Sequence, residues 1–252
     1  MERYERKTSG PGPPLPKAEL AATFAVRPHV HDPAAGISDV LDIEQRSAFD
    51  DARACEYAVE ALARSLELHD YRRGAYAETS SHGERVTTLA VRLTELVAPE
   101  LAADPRVAYG YRLHDIGMIG VSTSILAKPG ALAQAELDEI REHPWLGERI
   151  VAAVPPLNGV ARHVIGCHHE KWDGSGYPRR LRGEDIPIVA RIFALADAFD
   201  VMTNDQPYRR ALPIELALAE IDAKSGSHFD PTLAPVFLRL VDDLVNAGMT
   251  TA

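Results

Sequence analysis

His114 and Asp115 are adjacent in LHDIGMIG, and other metal-type side chains recur along the chain. They are His82 in SSHGERV, His143 in HPWLG, the pair His168–His169 in CHHEKWDGSGYP, and Asp197 in ALADAFD. Positions 82, 114, 143, 169 and 197 follow one another at intervals of 26 to 32 residues, close to one helix out and back. Successive helices of a bundle would bring such positions to one end, where bundles commonly build histidine and carboxylate metal sites. A carboxylate in the apolar stretch around Asp197 is costly unless it is paired or bound to a cation. Each residue alone has a plain structural explanation, as a core histidine, a paired helix aspartate or a solvated helix end; their joint occurrence favours a metal site. Five imidazoles and two carboxylates, with no thiolate, suit iron, manganese, nickel or zinc in a mixed nitrogen and oxygen shell. They are too many for one tetrahedral ion, and two ions with Asp115 bridging share them more naturally. A two-metal centre stabilises both the attacking and the leaving oxygen of a phosphoryl transfer.

The elements that must carry these residues read as helices throughout. The stretch 46–68 is alanine-rich and amphipathic at a 3.6 period. Further helices are expected over 82–102, 105–115, 132–143, 144–154, 158–170, 186–204, 213–225 and 230–248. Pro105 and Pro144 suit first turns. IPIVARIFALADAFDV is apolar on nearly all sides and should be a central buried helix. No strand pairs with hairpin turns stand out, so the class is all-α. Residues 1–45 differ, because GPGPPLP and HVHDPAAG break regular structure. They are expected to form a partly irregular extension, flexible or loosely packed, before a helical domain over 46–252. His29 and His31 there read as exposed loop histidines.

The totals fit a globular protein with one large domain or two small ones. Net charge is −10, which disfavours binding to duplex nucleic acid or an anionic membrane. An anionic substrate would need the local charge of metals or a few arginines. Two cysteines, Cys55 and Cys167, make no disulfide framework. No apolar stretch reaches the roughly 18 residues that span a bilayer, and the N-terminus lacks a signal-peptide core. A cytoplasmic location is expected.

Taken in order, LHDIGMIG, HPWLG, HHEKWDGSGYP and ALADAFDVMTNDQPYRRAL resemble the motifs of the HD-GYP family of cyclic di-GMP phosphodiesterases, within the HD hydrolases. The likeness covers about residues 46–244. It implies an HD-domain helical bundle with a metal centre. The implied reaction takes cyclic di-GMP to linear pGpG, and in some members on to GMP, by attack of a metal-bridging hydroxide on phosphorus. The family's ligands fall on His82, His114, Asp115, His143, His168, His169 and Asp197, with His114 and Asp115 as the catalytic pair. Two or three divalent ions, iron or manganese, are expected. Glu78 lies four residues before His82; if one helix carries both, the resemblance to a three-metal subgroup makes it a ligand too. Gly176, Tyr177 and Pro178 form the family's substrate-side loop, where Gly174 and Gly176 would give unusual backbone angles and Tyr177 would meet a guanine. Arg209 matches a basic position near the substrate, and Arg210 is carried with it as a substrate contact. A cyclic dinucleotide is the implied partner, and residues 1–45 are a candidate segment for a protein partner. The oligomeric state is left open.

Three departures stand out. The stretch DYRRGAYAETSSHGERV keeps only His82, Arg85 and Val86 of the family pattern. Met118 stands where the family has lysine, and Gln206 where it has arginine. Methionine carries neither charge nor proton. Losing one charge-assisted contact to a phosphoryl transition state would cost about 2.7–4 kcal/mol by analogy with lost oxyanion donors. The alternative is therefore a weak or inactive metal-loaded module that binds cyclic di-GMP or a protein. His163, Cys167 and His228 match no ligand and are expected to be structural.

Overall fold

A computed structural model describes residues 53–66, 68, 78–205 and 209–248, with backbone alone at 78–81. The expected extension 1–45 and Gln206 lie outside the described residues. The described residues form helices and turns with no strand, in a unit that spans Phe49–Ala252. None of their helices is long and apolar enough to cross a membrane.

Helix α1 (53–66) buries Cys55, Val59 and Ala63, a stripe of residues four apart. Helix α2 (Glu78–Val97) buries Val86, Leu89, Ala90 and Leu93. The helix expected over 82–102 is broken at Ala98, because Pro99 has no N–H to continue the ladder and instead opens the short α3 (Pro99–Ala102). Asp104 caps α4 (Pro105–Arg112) by accepting from the backbone N–H of Arg106. That helix stops at Arg112, short of the expected Asp115. His114 and Asp115 therefore sit in a turn, followed by a 3-10 turn over Ile116–Gly120. Beyond it lie α5 (Thr123–Leu126), α6 (Gln134–Ile140), α7 (His143–Val151) and α8 (Val160–Cys167). The chain then forms α9 (Ile188–Thr203), α10 (Ile214–Ala223) and α11 (Ala234–Asn246).

Helix α9 is the central buried helix that its composition predicts. It packs against α2, α8 and α10, and buries Ile192, Phe193, Leu195 and Phe199. With Val86 and Leu93 of α2, Tyr111 of α4 and Phe237 of α11 they form the main core. A second core joins α1 to Leu113, Ile116, Val151 and Ile165. Full burial of a side chain such as Phe193 contributes about 1.5–3 kcal/mol. Phe193 also forms the floor of the candidate site: the rings of His114 and His168 lie 4.7 and 6.0 Å from its centroid.

Candidate metal centre

Five elements supply the donors. His82 stands on α2, His114 and Asp115 in the turn after α4, His143 at the first position of α7, His168 and His169 just beyond α8, and Asp197 in the middle of α9. Their atoms fall into two groups. Asp115, His143, His168 and His169 each offer a donor atom within 4.8 Å of the others, and so do His82, His114 and Asp197. Asp115 reaches toward both. Its Oδ1 lies 3.2 Å from His143 Nε2 and 3.5 Å from His168 Nε2, while its Oδ2 lies 3.4 Å from His114 Nε2. On the other side, His82 Nε2 is 3.4 Å from Asp197 Oδ1.

The rings are aimed by their second nitrogens. Nδ1 of His114, His143 and His168 donates to the carbonyl oxygen three residues back, on Tyr111, Ile140 and Ile165, at 3.0, 2.7 and 2.9 Å. A carbonyl can only accept, so each of these imidazoles, when neutral, presents a lone pair at Nε2. Nε2 of His143 and Nε2 of His168 nevertheless face each other at 3.1 Å. Two lone pairs at that distance call for a cation between them. His82 is aimed differently. Its Nδ1 lies 2.7 Å from Asp200 Oδ2, and Arg85 grips the same carboxylate at 2.6 and 2.9 Å. Asn204 adds a contact at 3.2 Å. Asp200 and Arg85 go beyond the ligand pattern read from the sequence. Their signal is positional, since each lies three residues after a ligand, Asp197 and His82, on the same helix face.

The electrostatics agree. Burial disfavours charge on His114, yet the neighbouring carboxylates of Asp115 and Asp197 raise its pKa to about 9. Burial would raise the Asp115 carboxyl, but His114, His143 and His168 hold it well below the usual carboxylate range. His169 is buried and crowded by His168 and His143, which pushes its pKa well down. A proton on His114 thus stands in for positive charge that the cluster demands, while burial keeps His168 and His169 toward the neutral form that a ligand needs. The donor set therefore fits divalent cations.

The GYP segment is held against this cluster. Tyr177 stacks on His169 with ring centroids 4.6 Å apart, and its backbone N–H donates to the His169 carbonyl at 3.2 Å. Burial and the nearby Asp115 raise the tyrosine pKa, so its hydroxyl keeps its proton. Gly174 adopts a positive φ of 80°, as expected, but Gly176 does not. A Cβ on Gly176 would collide with the backbone of His169, Glu170 and Lys171, so glycine is required there for close approach. Pro178 follows a cis peptide bond. The buried Glu170, third residue of HHE, accepts from the N–H groups of Arg179 and Leu181 at 2.7 and 3.0 Å. Arg179 in turn pairs with Glu148 of α7 and donates to the Gly166 carbonyl of α8 at 2.9 Å.

The other expected residues fare differently. Helix α2 does begin at Glu78, so that residue shares a helix with His82, while its side chain lies outside the described residues. Met118 lies half-buried in the 3-10 turn directly after the cluster. Arg209 donates to the carbonyls of Val201, Met202 and Arg210 at 2.6, 3.2 and 3.1 Å, and so serves the C-terminal end of α9. Arg210 is exposed, 3.8 Å from Asp205. None of these arginine contacts involves the cluster.

Fold and site together define an all-helical protein whose bundle carries a histidine and carboxylate centre for divalent metals. The chain belongs to the HD domain family, whose model matches residues 60–233. The HHEKWDGSGYP string places it in the HD-GYP branch. It is similar to a cyclic di-GMP phosphodiesterase of Thermotoga maritima, 35% identical over 76% of this chain and 51% of that protein. It is also similar to the 3'3'-cGAMP-specific phosphodiesterase 3 of Vibrio cholerae, 40% identical over 61% of this chain and 33% of that protein. Among solved structures, an HD-GYP protein of Bdellovibrio bacteriovorus shares the fold with a TM-score of 0.53 and 19% identity, over 74% of this chain and 63% of that one. The chain spans about half the length of the first of these curated relatives.

Proposed function

We propose that the chain is a metal-dependent phosphodiesterase that hydrolyses cyclic di-GMP to pGpG, with GMP as a further product. The observation that carries this reading is the division of Asp115, whose two oxygens address two separate donor groups. His143, His168 and His169 would hold one divalent ion and His82, His114 and Asp197 the other, with Asp115 between them. Iron or manganese suits this shell. Glu78, at the start of the same helix as His82, is the candidate for a third ion. Bound ions of this kind neutralise phosphate charge and lower the pKa of water to near neutrality. The chain's own residues fix the geometry: three backbone carbonyls and Asp200 hold the rings in place, and Phe193 closes the floor against water. Gly176, Tyr177 and Pro178 form the wall that a substrate would meet, and Arg209 and Arg210 stand further off at the end of α9. The relatives' names support cyclic dinucleotides as the substrate class.

The test is anaerobic turnover of cyclic di-GMP by protein of known metal content, with iron(II) or manganese(II) added. Formation of pGpG, abolished together with bound metal in Asp115→Ala, is the expected result. Met118 gives a second reading its footing, because no cation stands where the family has lysine. Fully metallated protein that binds cyclic di-GMP without product would establish that binding module and overturn the enzyme.

A further inference from the structure

Beside the metal cluster lies a cleft of about 460 Å³, lined by Asp138, Arg141 and Glu142 on one side and by Ser175, Tyr177 and Arg180 on the other. That volume is in the range of small-molecule sites, roughly 300–1,000 Å³. The cleft adjoins the centre directly, since Tyr177 both lines it and stacks on the candidate ligand His169. The guanidinium of Arg141 lies over the same tyrosine ring, 5.7 Å from its centroid. Arg141 Nη1 is also 3.5 Å from Asp138 Oδ1, an atom that accepts from Gln134 Nε2 at 2.8 Å as well. A planar donor fork and a carboxylate therefore stand next to each other at the mouth of the site.

We propose, on the basis of the phosphodiesterase reading above, that Asp138 and Arg141 read the guanine of a cyclic dinucleotide whose phosphate lies at the metal cluster. Guanine presents acceptors at O6 and N7 and donors at N1–H and N2–H₂. Arginine has only donors and an ionised carboxylate only acceptors. Arg141 serves the O6 side and Asp138 the N1–H and N2–H₂ side. Adenine at the same place turns an N1 lone pair toward the carboxylate, and a polar site left with such a mismatch rejects the wrong base. Arg141 and Arg180 also bring positive charge to a site that lacks the family's lysine at Met118 and arginine at Gln206. Neither residue of the pair belongs to the metal shell.

The experiment measures dissociation constants of the metal-loaded full chain for bis-phosphorothioate analogues of cyclic di-GMP and cyclic di-AMP, which resist turnover. Wild type, Asp138→Asn and Arg141→Gln are compared at verified metal content. Both side chains are exposed, so both variants should fold. A guanine preference of roughly tenfold or more in wild type, reduced about fivefold or more in each variant, is expected. An equal preference in wild type and both variants, or none in wild type, would overturn the assignment. Hydrolysis of bis(4-nitrophenyl) phosphate, which has no base, tests the metal centre separately. Its absence, alongside a guanine preference lost in both variants, would overturn the hydrolase reading and still support the base-reading pair.

Discussion

Asp200 accepts from His82, Arg85 and Asn204, so one buried carboxylate sets the angle of one imidazole without itself facing the centre. Partners of this kind are typically worth 10–100-fold in metal affinity. Asp200→Asn should therefore lower affinity by about tenfold or more, measured by competition with a chelator, while circular dichroism stays helical. Met118 makes the opposite case, in which a group is missing. Met118→Lys should raise turnover of cyclic di-GMP by up to about a hundredfold, the scale of one restored charge-assisted contact. An unchanged or lower rate would show that no such role is vacant. The seven residues that the structure gathers into two donor groups are all marked out by residue type and spacing. Asp200 is less so, because its spacing from Asp197 marks a shared helix face but not the side chain it will meet.

At the scale of elements, the turns matter more than the helices. The helices follow from apolar periodicity and from proline positions. The turn over residues 113–120 does not, because LHDIGMIG has no period to read. Its geometry depends on Gly117, where a Cβ would collide with the backbone carbonyl of His143. Gly117→Ala should push the 3-10 turn off α7, cost about 1–3 kcal/mol by overpacking, and weaken metal binding as Asp115 and His143 separate. Thermal melts with and without metal check both effects. The loop after the GYP signature was equally hidden, since Arg179 finds Glu148 across 31 residues of sequence. Arg179→Ala would leave the buried Glu148 with Arg162, at 3.6 Å, as its partner among the described residues. The pair is partly exposed through the arginine, so the cost should be about 1–3 kcal/mol, below that of a fully buried pair. The Michaelis constant should rise as the Tyr177 wall loosens. Arg179→Lys should restore stability only in part.

For the whole molecule, acid stability is set partly by a histidine outside the donor cluster. His228 is half-buried beside Lys171 and Lys224, and burial followed by those charges lowers its pKa to about 4. Between pH 6.5 and about 4 the unfolded chain binds a proton at this histidine that the folded chain refuses, so its contribution to stability is full above pH 6.5 and falls as the pH drops. His228→Gln should flatten that decline, read as the difference in melting temperature between wild type and variant from pH 7 to 4.5. The two apolar cores explain why the class was readable throughout: periodicity reports burial, and burial is nearly all that a bundle needs. The same cores have a consequence for the metal. Phe193 and the three carbonyl-held imidazoles belong to packed helices and their ends, so the aim of these rings is set by the fold's own packing and hydrogen bonds. A seat held in that way can be emptied and refilled. If two similar divalent metals both fit that seat, the ion it holds would follow what the surroundings supply.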